Sequence, residues 1–314
     1  MQREGSPWQG LGVVISKELS DQMTSIRMFV VGLLVVLIAI FTLSLASEQV
    51  RQTTAEDPFL LLRLFTTSQE PFPSFVFYLN LLLPLVAIVL GFDAVNGEHN
   101  RRTLSRILSQ PIYRDALLFG KFIAGLITLS INLVVLWLLV IGLGLLELGV
   151  PPSGDELARA FIFLLVSIAY AGVWLALALL FSIIFRSAAS AALITLGLWF
   201  FLTLIWPTVA PRIALALIPS DDLNTLVLAA QTAARLSPVT LFSEVNSIIL
   251  DPSARVLGPI YLYLPQLQGA VLGAPLPLEQ SLLIVWPQIV GLVAGSILLF
   301  VIGYIVFQRQ EVRA

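Results

Sequence analysis

The chain has 314 residues, of which 58% are hydrophobic and only 11% are charged, and its formal net charge is −2. This composition is typical of an integral membrane protein and excludes an ordinary soluble domain. The near-neutral charge gives no reason to expect nucleic-acid binding. The sequence contains no cysteine and a single histidine, His99, so we expect no catalytic residue and no metal site.

Six stretches contain no Asp, Glu, Lys, Arg or His: residues 28–47, 71–92, 122–146, 160–185, 187–211 and 280–308. A helix needs about 20 residues to cross roughly 30 Å of hydrocarbon, where its backbone polar groups must be bonded internally. We therefore predict an all-α integral membrane protein with a single domain, 1–314, and six transmembrane helices. We place these helices at residues 28–47, 71–92, 117–146, 160–185, 187–207 and 281–308.

Orientation follows from the distribution of lysine and arginine. If odd-numbered spans run outward and even-numbered spans return, eleven of the 17 basic side chains lie on the side that holds both termini, and six lie on the opposite side. Five of the eleven lie between the second and third apolar stretches: Arg101, Arg102, Arg106, Arg114 and Lys121. The excess of basic residues on the cytoplasmic side of membrane proteins predicts that both termini are cytoplasmic, in the inner (plasma) membrane of the cell.

The outer side carries one long segment, 208–280. Ser220-Asp221-Asp222 is typical of a helix start, and Ser237-Pro238 predicts a second helix through Leu250. We expect the two helices to form a cap that packs on the bilayer surface. The charge-free stretch 256–278 is long enough to be a seventh span but contains four prolines, so we favour a surface or re-entrant segment.

The cytoplasmic amino-terminal segment, 1–27, contains a helical pattern. Apolar residues recur near one face, and Lys17 and Glu18 fall largely elsewhere. The pattern favours an interfacial helix lying at the membrane surface, and a helix buried against the spans is the alternative. The residues assigned to this helix are Trp8, Leu11, Ile15, Lys17, Glu18 and Leu19.

The cytoplasmic loop 93–116 has an unusual stripe. Leu104, Ile107 and Leu108 lie at i, i+3 and i+4, while arginines occupy the other faces of the same short helix. A bilayer cannot accept the stripe together with the arginines. The residues alone leave two interpretations open: a groove on a partner protein covers the stripe, or the basic loop is attracted to anionic lipid headgroups.

The six apolar stretches contain no carboxylate and no histidine. Ion-coupled carriers generally place such groups in the middle of the membrane to bind the driving ion. Their absence disfavours a carrier that works alone. Asn80 and Asn132 are polar residues within the stretches, and they either line a path or form hydrogen bonds between helices.

Several short motifs resemble those of a known family, the ABC-2 type permeases of ATP-binding-cassette (ABC) transporters. The branch most similar is that of permeases for multi-copper enzyme and nitrous-oxide reductase maturation. Where this chain has Arg102-Thr103-Leu104, members of the family commonly have Gly-Thr-Leu. The resemblance rests on Lys17-Glu18-Leu19, Asp93, Glu98, Thr103-Leu104, Leu108 to Arg114, and Gly120-Lys121.

The resemblance implies a permease subunit that works as a homodimer in the bilayer with a separate ABC ATPase, in export or maturation. ATP and Mg²⁺ are then bound by the ATPase, and this chain binds no cofactor and is not itself an enzyme. An extracytoplasmic protein is a further possible partner. A self-contained secondary transporter and a non-transporting membrane scaffold remain open as alternative functions. The coupling helix that docks on the ATPase comprises Glu98, Arg101, Arg102, Thr103, Leu104, Arg106, Ile107 and Leu108.

Overall fold

A computed structural model describes residues 8, 10–52, 59–100, 113–218, 222–254, 257 and 275–309. Over these residues the fold is all-helical and contains no strand. Six helices are long and apolar enough to cross a membrane. The predicted fold class and the predicted number of spans are therefore confirmed.

The helices are numbered in chain order. They are α1 Leu11–Met23, α2 Ile26–Gln52, α3 Leu60–Thr66, α4 Phe75–Gly91, α5 Asn96–Asn100, α6 Arg114–Leu148, α7 Gly154–Ile184, α8 Ala188–Phe200, α9 Trp206–Leu217, α10 Leu223–Ala234, α11 Pro238–Ile249 and α12 Leu278–Arg309. The first to fourth spans are α2, α4, α6 and α7; the fifth is the continuous run from α8 to α9, and the sixth is α12.

The fourth span forms the centre of the subunit. Buried residues make up 78% of its most apolar window, against 11% for the fifth span. Tyr170 and Trp174 are completely buried, and the Tyr170 ring stacks on Phe242 of α11 with centroids 4.3 Å apart. The second span approaches the fourth very closely at Gly91, where an added Cβ would lie 2.7 Å from the Ala178 Cβ. A glycine is therefore required at that crossing.

The outer end of the fourth span is fixed by a capping box. The Ser153 hydroxyl accepts a hydrogen bond from Glu156 N, and Glu156 Oε2 accepts one from Ser153 N at 2.8 Å. These bonds satisfy backbone donors that a helix start leaves without partners. The other carboxylate oxygen, Glu156 Oε1, accepts from Leu61 N at 2.8 Å. One residue thus caps the fourth span and holds α3 against it.

Arg159 joins three outer segments. Its side chain is completely buried, and its Nε lies 2.7 Å from Asp155 Oδ2 one turn earlier. The guanidinium also donates to Ile249 O at the end of α11, to Leu276 O and to Ser281 Oγ of the sixth span. From the sequence, Arg159 is expected only to be a charge on the outer side. In the structure its buried guanidinium connects these three segments.

The fifth span contains a wide turn where a proline follows. Residues Phe201–Ile205 form a π-helical turn, and Trp206 N donates to Phe201 O. Pro207 has no N–H, and its ring would clash with the carbonyl of residue 203 in a regular helix. The wide turn avoids that clash, and the helix continues to Leu217 rather than ending at 207.

Helix α10 packs along α9, whereas α11 packs among the second, fourth and sixth spans. Asp222 caps α10 by accepting from Asn224 N and Thr225 N, as the helix-start pattern predicts. At the start of α11, the Ser237 hydroxyl donates to Leu202 O at 2.8 Å. Leu202 lies within the charge-free stretch 187–211, so α11 begins level with the fifth span and does not lie on the outer surface. The expectation of a surface cap is wrong for α11 and stays a prediction for α10.

Most of the stretch 256–278 lies outside the described residues, but its two ends are described. Leu276 N donates to Pro252 O at 2.8 Å, and Leu257 O accepts from Gln231 Nε2 at 2.8 Å. These bonds place the two described ends near one another, beside α10 and the end of α11. The residues between them lie outside the described residues, and a surface or re-entrant position for this stretch stays a prediction.

Candidate functional site

A lysine is buried where α1 meets the start of the third span. Lys121 is 4% exposed, and its Nζ lies 2.8 Å from Glu18 Oε1 and 2.8 Å from Glu98 Oε1. Burial of a charge is strongly unfavourable unless the charge is paired. The two carboxylates are therefore what permits a lysine at this position. We call Lys17, Glu18, Glu98 and Lys121 the Lys121 cluster.

A glycine lets α1 come close enough to form this cluster. A Cβ added at Gly120 would lie 2.5 Å from the Val14 Cγ1 and 2.9 Å from the Val14 Cβ, so any side chain there would push α1 away. Val14 is 5% exposed. Gly120 and Lys121 thus act as a pair, in which the glycine sets the helix separation and the lysine supplies the charge that meets Glu18.

The two cluster residues on α1 are held in their charged forms. Burial raises the pKa of Glu18, but the charges and hydrogen bonds of Lys121 and Lys17 lower it more, and the net pKa lies below the usual 4.5. Burial lowers the pKa of Lys17, but its bonds to Glu18 and Asp21 and the charge of Glu98 raise it above the usual 10.5. Lys17 and Glu18 therefore stay charged across the neutral pH range.

Glu98 is positioned by α5, which is bound to the end of the fourth span. Val95 N and Asn96 N both donate to Ser182 Oγ, at 3.0 and 3.2 Å. The Asn96 side chain, only 2% exposed, donates to Phe185 O at 3.3 Å. The backbone that leads into the predicted docking loop is therefore fixed on its amino-terminal side.

The carboxyl-terminal side of the same loop is fixed as well. Asp115, in the first turn of the third span, accepts hydrogen bonds from Tyr304 OH at 3.0 Å and from Gln308 Nε2, both on the sixth span. Phe119, one turn later, packs edge-on against Phe300 of the sixth span and against Trp8. The loop therefore leaves one helical bundle and returns to it at anchored points.

A further ion pair joins the first two spans at this level. Arg27 Nη1 lies 2.6 Å from Asp93 Oδ2, and the guanidinium lies over the Phe92 ring, 5.8 Å from its centroid. Both charged side chains are partly exposed, so the pair contributes little to stability. Within the described residues, no group of three or more His, Cys, Asp or Glu side chains is arranged to hold a metal ion.

Comparison with known proteins assigns the chain to a family. The family described as ABC-2 family transporter protein matches residues 13–312. The chain belongs to this family.

Two curated relatives are similar over most of the chain. One is the "Probable ABC transporter permease protein NosY" of Stutzerimonas stutzeri, 26% identical over 301 residues that cover 95% of this chain and 97% of the relative. The other is the protein of the same name from Pseudomonas aeruginosa, 30% identical over 229 residues that cover 69% of this chain and 72% of the relative. This chain is thus an ABC-2 type permease, a multi-pass membrane subunit of an ABC transporter.

In this ABC-2 permease the residues that carry the family resemblance come together in space. Lys17-Glu18, Glu98 and Gly120-Lys121 are separated by about 80 and about 20 residues in sequence, yet they form one cluster. Asp93 lies at the edge of the same region through its pair with Arg27. The short motifs before the first span and around the loop therefore mark a single structural junction.

Most of the predicted docking residues lie outside the described residues. Glu98 is the described member, and it pairs with Lys121. The assignment of the coupling helix to the ATPase therefore stays a prediction. The members outside the described residues are Arg101, Arg102, Thr103, Leu104, Arg106, Ile107 and Leu108.

The amino-terminal helix of the permease forms as expected, but its most buried face is different. Val14 and Glu18 are the buried residues of α1, whereas Lys17 is half-exposed. Leu11, Ile15 and Leu19 are only partly buried. The helix packs mainly on the start of the third span, and its position in the membrane interface stays a prediction.

The two predicted polar residues of the spans have separate surroundings. Tyr170 OH donates to the main-chain oxygen of Asn80 at 3.1 Å, and the Asn80 side-chain oxygen is buried without a hydrogen-bond partner. Asn132 Nδ2 donates to Thr128 O within its own helix at 2.7 Å. Neither side chain forms a described hydrogen bond to another helix, so their role in a path stays a prediction.

A buried carboxylate in α11 is not apparent from the sequence. Glu244 of α11 is 4% exposed, and its Oε2 accepts from Arg235 Nε and from Gln288 Nε2, both at 2.8 Å. Gln288 lies well inside the sixth span. The acid and base face each other across the turn between α10 and α11, nine residues apart in sequence. A basic and an acidic residue nine positions apart, on either side of a predicted turn between two helices, are the sequence signal that could have identified this pair.

Proposed function

We propose that this permease works as a homodimer in the inner (plasma) membrane, with both termini cytoplasmic, and is driven by a separate ABC ATPase that docks on the loop 93–116. The proposed role is export or maturation of a product on the outer side. Two relatives named as probable ABC transporter permeases support the class. ATP and Mg²⁺ belong to the ATPase, because this sequence has no Gly-x-x-x-x-Gly-Lys-Ser/Thr loop.

The Lys121 cluster carries the proposal. Its paired side chains come from three elements: buried Glu18 from α1, partly buried Glu98 from the beginning of the loop and buried Lys121 from the third span. A displacement of the loop by the ATPase therefore cannot move Glu98 without moving Lys121 and α1 or breaking a buried ion pair. Breaking such a pair is strongly destabilising. The cluster is thus suited to transmit motion from the docked ATPase to the spans.

The homodimer is supported by the surface that one subunit leaves uncovered. The fifth span is the least buried of the six, and large apolar side chains such as Leu193, Phe200 and Leu204 are exposed on it. Native mass spectrometry of the purified complex tests the stoichiometry. We expect two permease subunits and two ATPase subunits, and a stable complex with one permease subunit contradicts the proposal.

Docking is tested by co-purification with the ATPase. Substituting Leu104→Asp together with Leu108→Asp places two carboxylates on the stripe, and we expect association to be lost while the permease remains in the membrane. The matched control is Leu145→Asp with Leu146→Asp, on exposed residues at the far end of the third span. Unchanged association in the loop variant places the docking site elsewhere.

Coupling is tested separately from docking. Glu98→Gln removes one carboxylate from Lys121 but leaves the apolar stripe intact. We expect this variant to retain the ATPase and to lose most of the permease-dependent change in ATP hydrolysis measured in proteoliposomes. Glu147→Gln, which removes a carboxylate from an exposed pair with Arg51, is the control and should behave as the unmodified permease.

The second candidate is an ion-coupled carrier, and Glu244 is the observation that favours it. This buried carboxylate lies beside the sixth span at a depth where carriers bind their driving ion. Its pairing with Arg235 satisfies the charge internally, which favours a structural role. Flux driven by a proton or sodium gradient in liposomes that contain the permease alone, and lost in Glu244→Gln, would support the carrier over the ATP-driven permease.

A further inference from the structure

A polar cavity of about 680 Å³ lies between α1, the start of the first span and the end of the second span. Its deepest charges are paired within the Lys121 cluster. At its edge, Lys17, Asp21 and Arg27 have side chains that are 52%, 62% and 57% exposed. The cavity therefore presents a cation and an anion together to whatever enters it. Its charged lining residues are Lys17, Arg27 and Lys121 and Glu18, Asp21, Asp93 and Glu98.

A second, apolar cavity of about 100 Å³ lies among the first three spans. It is lined by Gly32 and Val36 of the first span, by Leu83 and Val86 of the second, and by Leu136 of the third. The residues from the first two spans belong to the charge-free stretches 28–47 and 71–92. The crevice is therefore at a depth where hydrocarbon chains surround the protein.

The polar and apolar cavities adjoin. Met28 lines both of them. On the second span, Val86 lines the crevice and Leu90 lines the polar cavity, and residues four apart lie on the same face of a helix, about 6 Å along its axis. A molecule with a charged head and an apolar tail would match the two cavities in this order.

We propose that the two cavities form one binding site for a phospholipid with a phosphate and a primary ammonium in its headgroup, as in phosphatidylethanolamine. The lipid comes from the leaflet nearer α1. The headgroup lies in the polar cavity, and part of one acyl chain lies in the crevice between Gly32 and Leu136. This site is independent of the ATPase and of the transported substrate.

The charges of the lining select this headgroup. Arg27 and Lys17 supply N–H donors for the phosphate, and charge-assisted bonds to phosphate are strong. Asp21 and Asp93 supply acceptors for an ammonium, which has three donors. An anionic headgroup has no ammonium to place against these carboxylates, and the lining has one more acidic than basic residue. A choline headgroup has the positive charge but no N–H to donate.

Native mass spectrometry of the full-length permease in mild detergent tests the proposal. The probes are palmitoyl-oleoyl phosphatidylethanolamine, phosphatidylglycerol and phosphatidylcholine, titrated separately. We expect the first lipid to bind about tenfold more tightly than the other two, which corresponds to one charge-assisted interaction. Equal affinity for the three lipids overturns the proposal, because it indicates nonspecific annular lipid.

Two variants locate the site. Gly32→Leu places a side chain in the crevice, where even an added Cβ would lie 3.6 Å from Asn132 Oδ1, and we expect the phosphatidylethanolamine adduct to weaken about tenfold. Gly142→Leu makes the same change in the third span, where nothing lies within 4 Å of an added Cβ, and binding should not change. If both variants bind as the unmodified permease does, the crevice is not the site.

The headgroup is tested at the exposed edge, where substitution does not disturb the core. Arg27→Gln should weaken phosphatidylethanolamine binding about tenfold through loss of the phosphate contact. Asp93→Asn should reduce the preference for phosphatidylethanolamine over phosphatidylcholine, with little effect on phosphatidylcholine itself. These two measurements test the lipid site even if Gly32→Leu does not give a single species in size-exclusion chromatography. An unchanged preference in both variants overturns the headgroup assignment.

Discussion

Lys121 and Glu98 form a 2.8 Å ion pair that joins the two ends of the loop between the second and third spans. The described residues on both sides of the loop are therefore fixed, with α5 bound to the fourth span and Asp115 bound to the sixth span. A displacement of these residues would act on α1 and on the third, fourth and sixth spans.

Lys121→Met should lower the free energy of unfolding by about 3 kcal/mol, because Glu18 and Glu98 lose their buried cation and keep only the half-exposed Lys17. Chemical unfolding in detergent, followed by tryptophan fluorescence, measures the effect. Arg51→Met removes a base from an exposed pair with Glu147, and it should cost less than about 1 kcal/mol. Similar losses in the two variants would show that the Lys121 pairs are no stronger than surface pairs.

The contact between α1 and the third span should depend on pH only outside a wide range. The pKa of Glu18 is below its unfolded value of 4.5, so its contribution is complete above pH 4.5 and is lost as the pH falls through the folded pKa. The pKa of Lys17 is raised above 10.5, so its contribution is complete below pH 10.5 and is lost as the pH rises through the folded pKa.

Limited proteolysis of α1 at a series of pH values measures this dependence. We expect constant protection between pH 4.5 and 10.5 and faster cleavage at lower and higher pH. Glu18→Gln should remove the acid limb of the profile. Protection that changes near neutral pH would indicate that another titrating group controls the contact.

Gly120→Ala should destabilise the junction by about 1–3 kcal/mol, because its Cβ would overlap the Val14 side chain and push α1 from the third span. Val14→Ala should restore part of the loss when the two substitutions are combined, since it removes the Val14 Cγ1 that makes the closest contact. Thermal unfolding of the single and double variants gives the coupling between the two positions. Gly142→Ala, in open space on the same helix, is the control. Purely additive effects would show that the two residues do not clash.

Arg159→Met should loosen the outer half of the permease, because the carbonyl oxygens of Ile249 and Leu276 lose their donor. We expect a loss of about 2–4 kcal/mol in stability, because each buried acceptor without a donor costs about 1–3 kcal/mol. Hydrogen exchange should also become faster in α11. Arg212→Met, at an exposed arginine of the fifth span, should change neither measurement. Unchanged exchange in α11 would show that Arg159 does not hold that helix.

The orientation is testable because the chain contains no cysteine. Ser109→Cys should react with a membrane-impermeant thiol reagent only from the cytoplasm, and Ser253→Cys only from outside. Labelling of intact and permeabilised cells distinguishes the two sides. Reaction of Ser109→Cys in intact cells would show that the orientation is the opposite of the predicted one.

The spans and the family could be predicted from the sequence because charge-free runs and short motifs are local signals. The buried face of α1 could not. Glu18 is charged, so helical periodicity places it on the wet side, whereas its partner Lys121 is 103 residues away. Only tertiary structure reveals that a buried cation makes Glu18 the inward residue.

The depth of α11 could not be predicted for a related reason. Helix α11 has the apolar and polar faces of a surface helix, and this pattern is the same whether the apolar face meets lipid headgroups or other helices. Phe242 packs on Tyr170 and Glu244 binds Gln288, and each contact requires a partner from a distant part of the chain. The periodicity fixes which face is apolar, but it does not fix the depth of the helix.

The π turn at Phe201–Ile205 has a consequence for how the fifth span is divided. A π-helical turn contains about one residue more than an α-helical turn, so the side chains beyond it are rotated by about 100° about the helix axis. The inner half therefore faces the fourth span while the outer half, from Trp206, turns toward α10, which accepts its indole hydrogen bond at Ala233. A single membrane-crossing rod thus presents two differently aimed surfaces, one to the fourth span and one to α10.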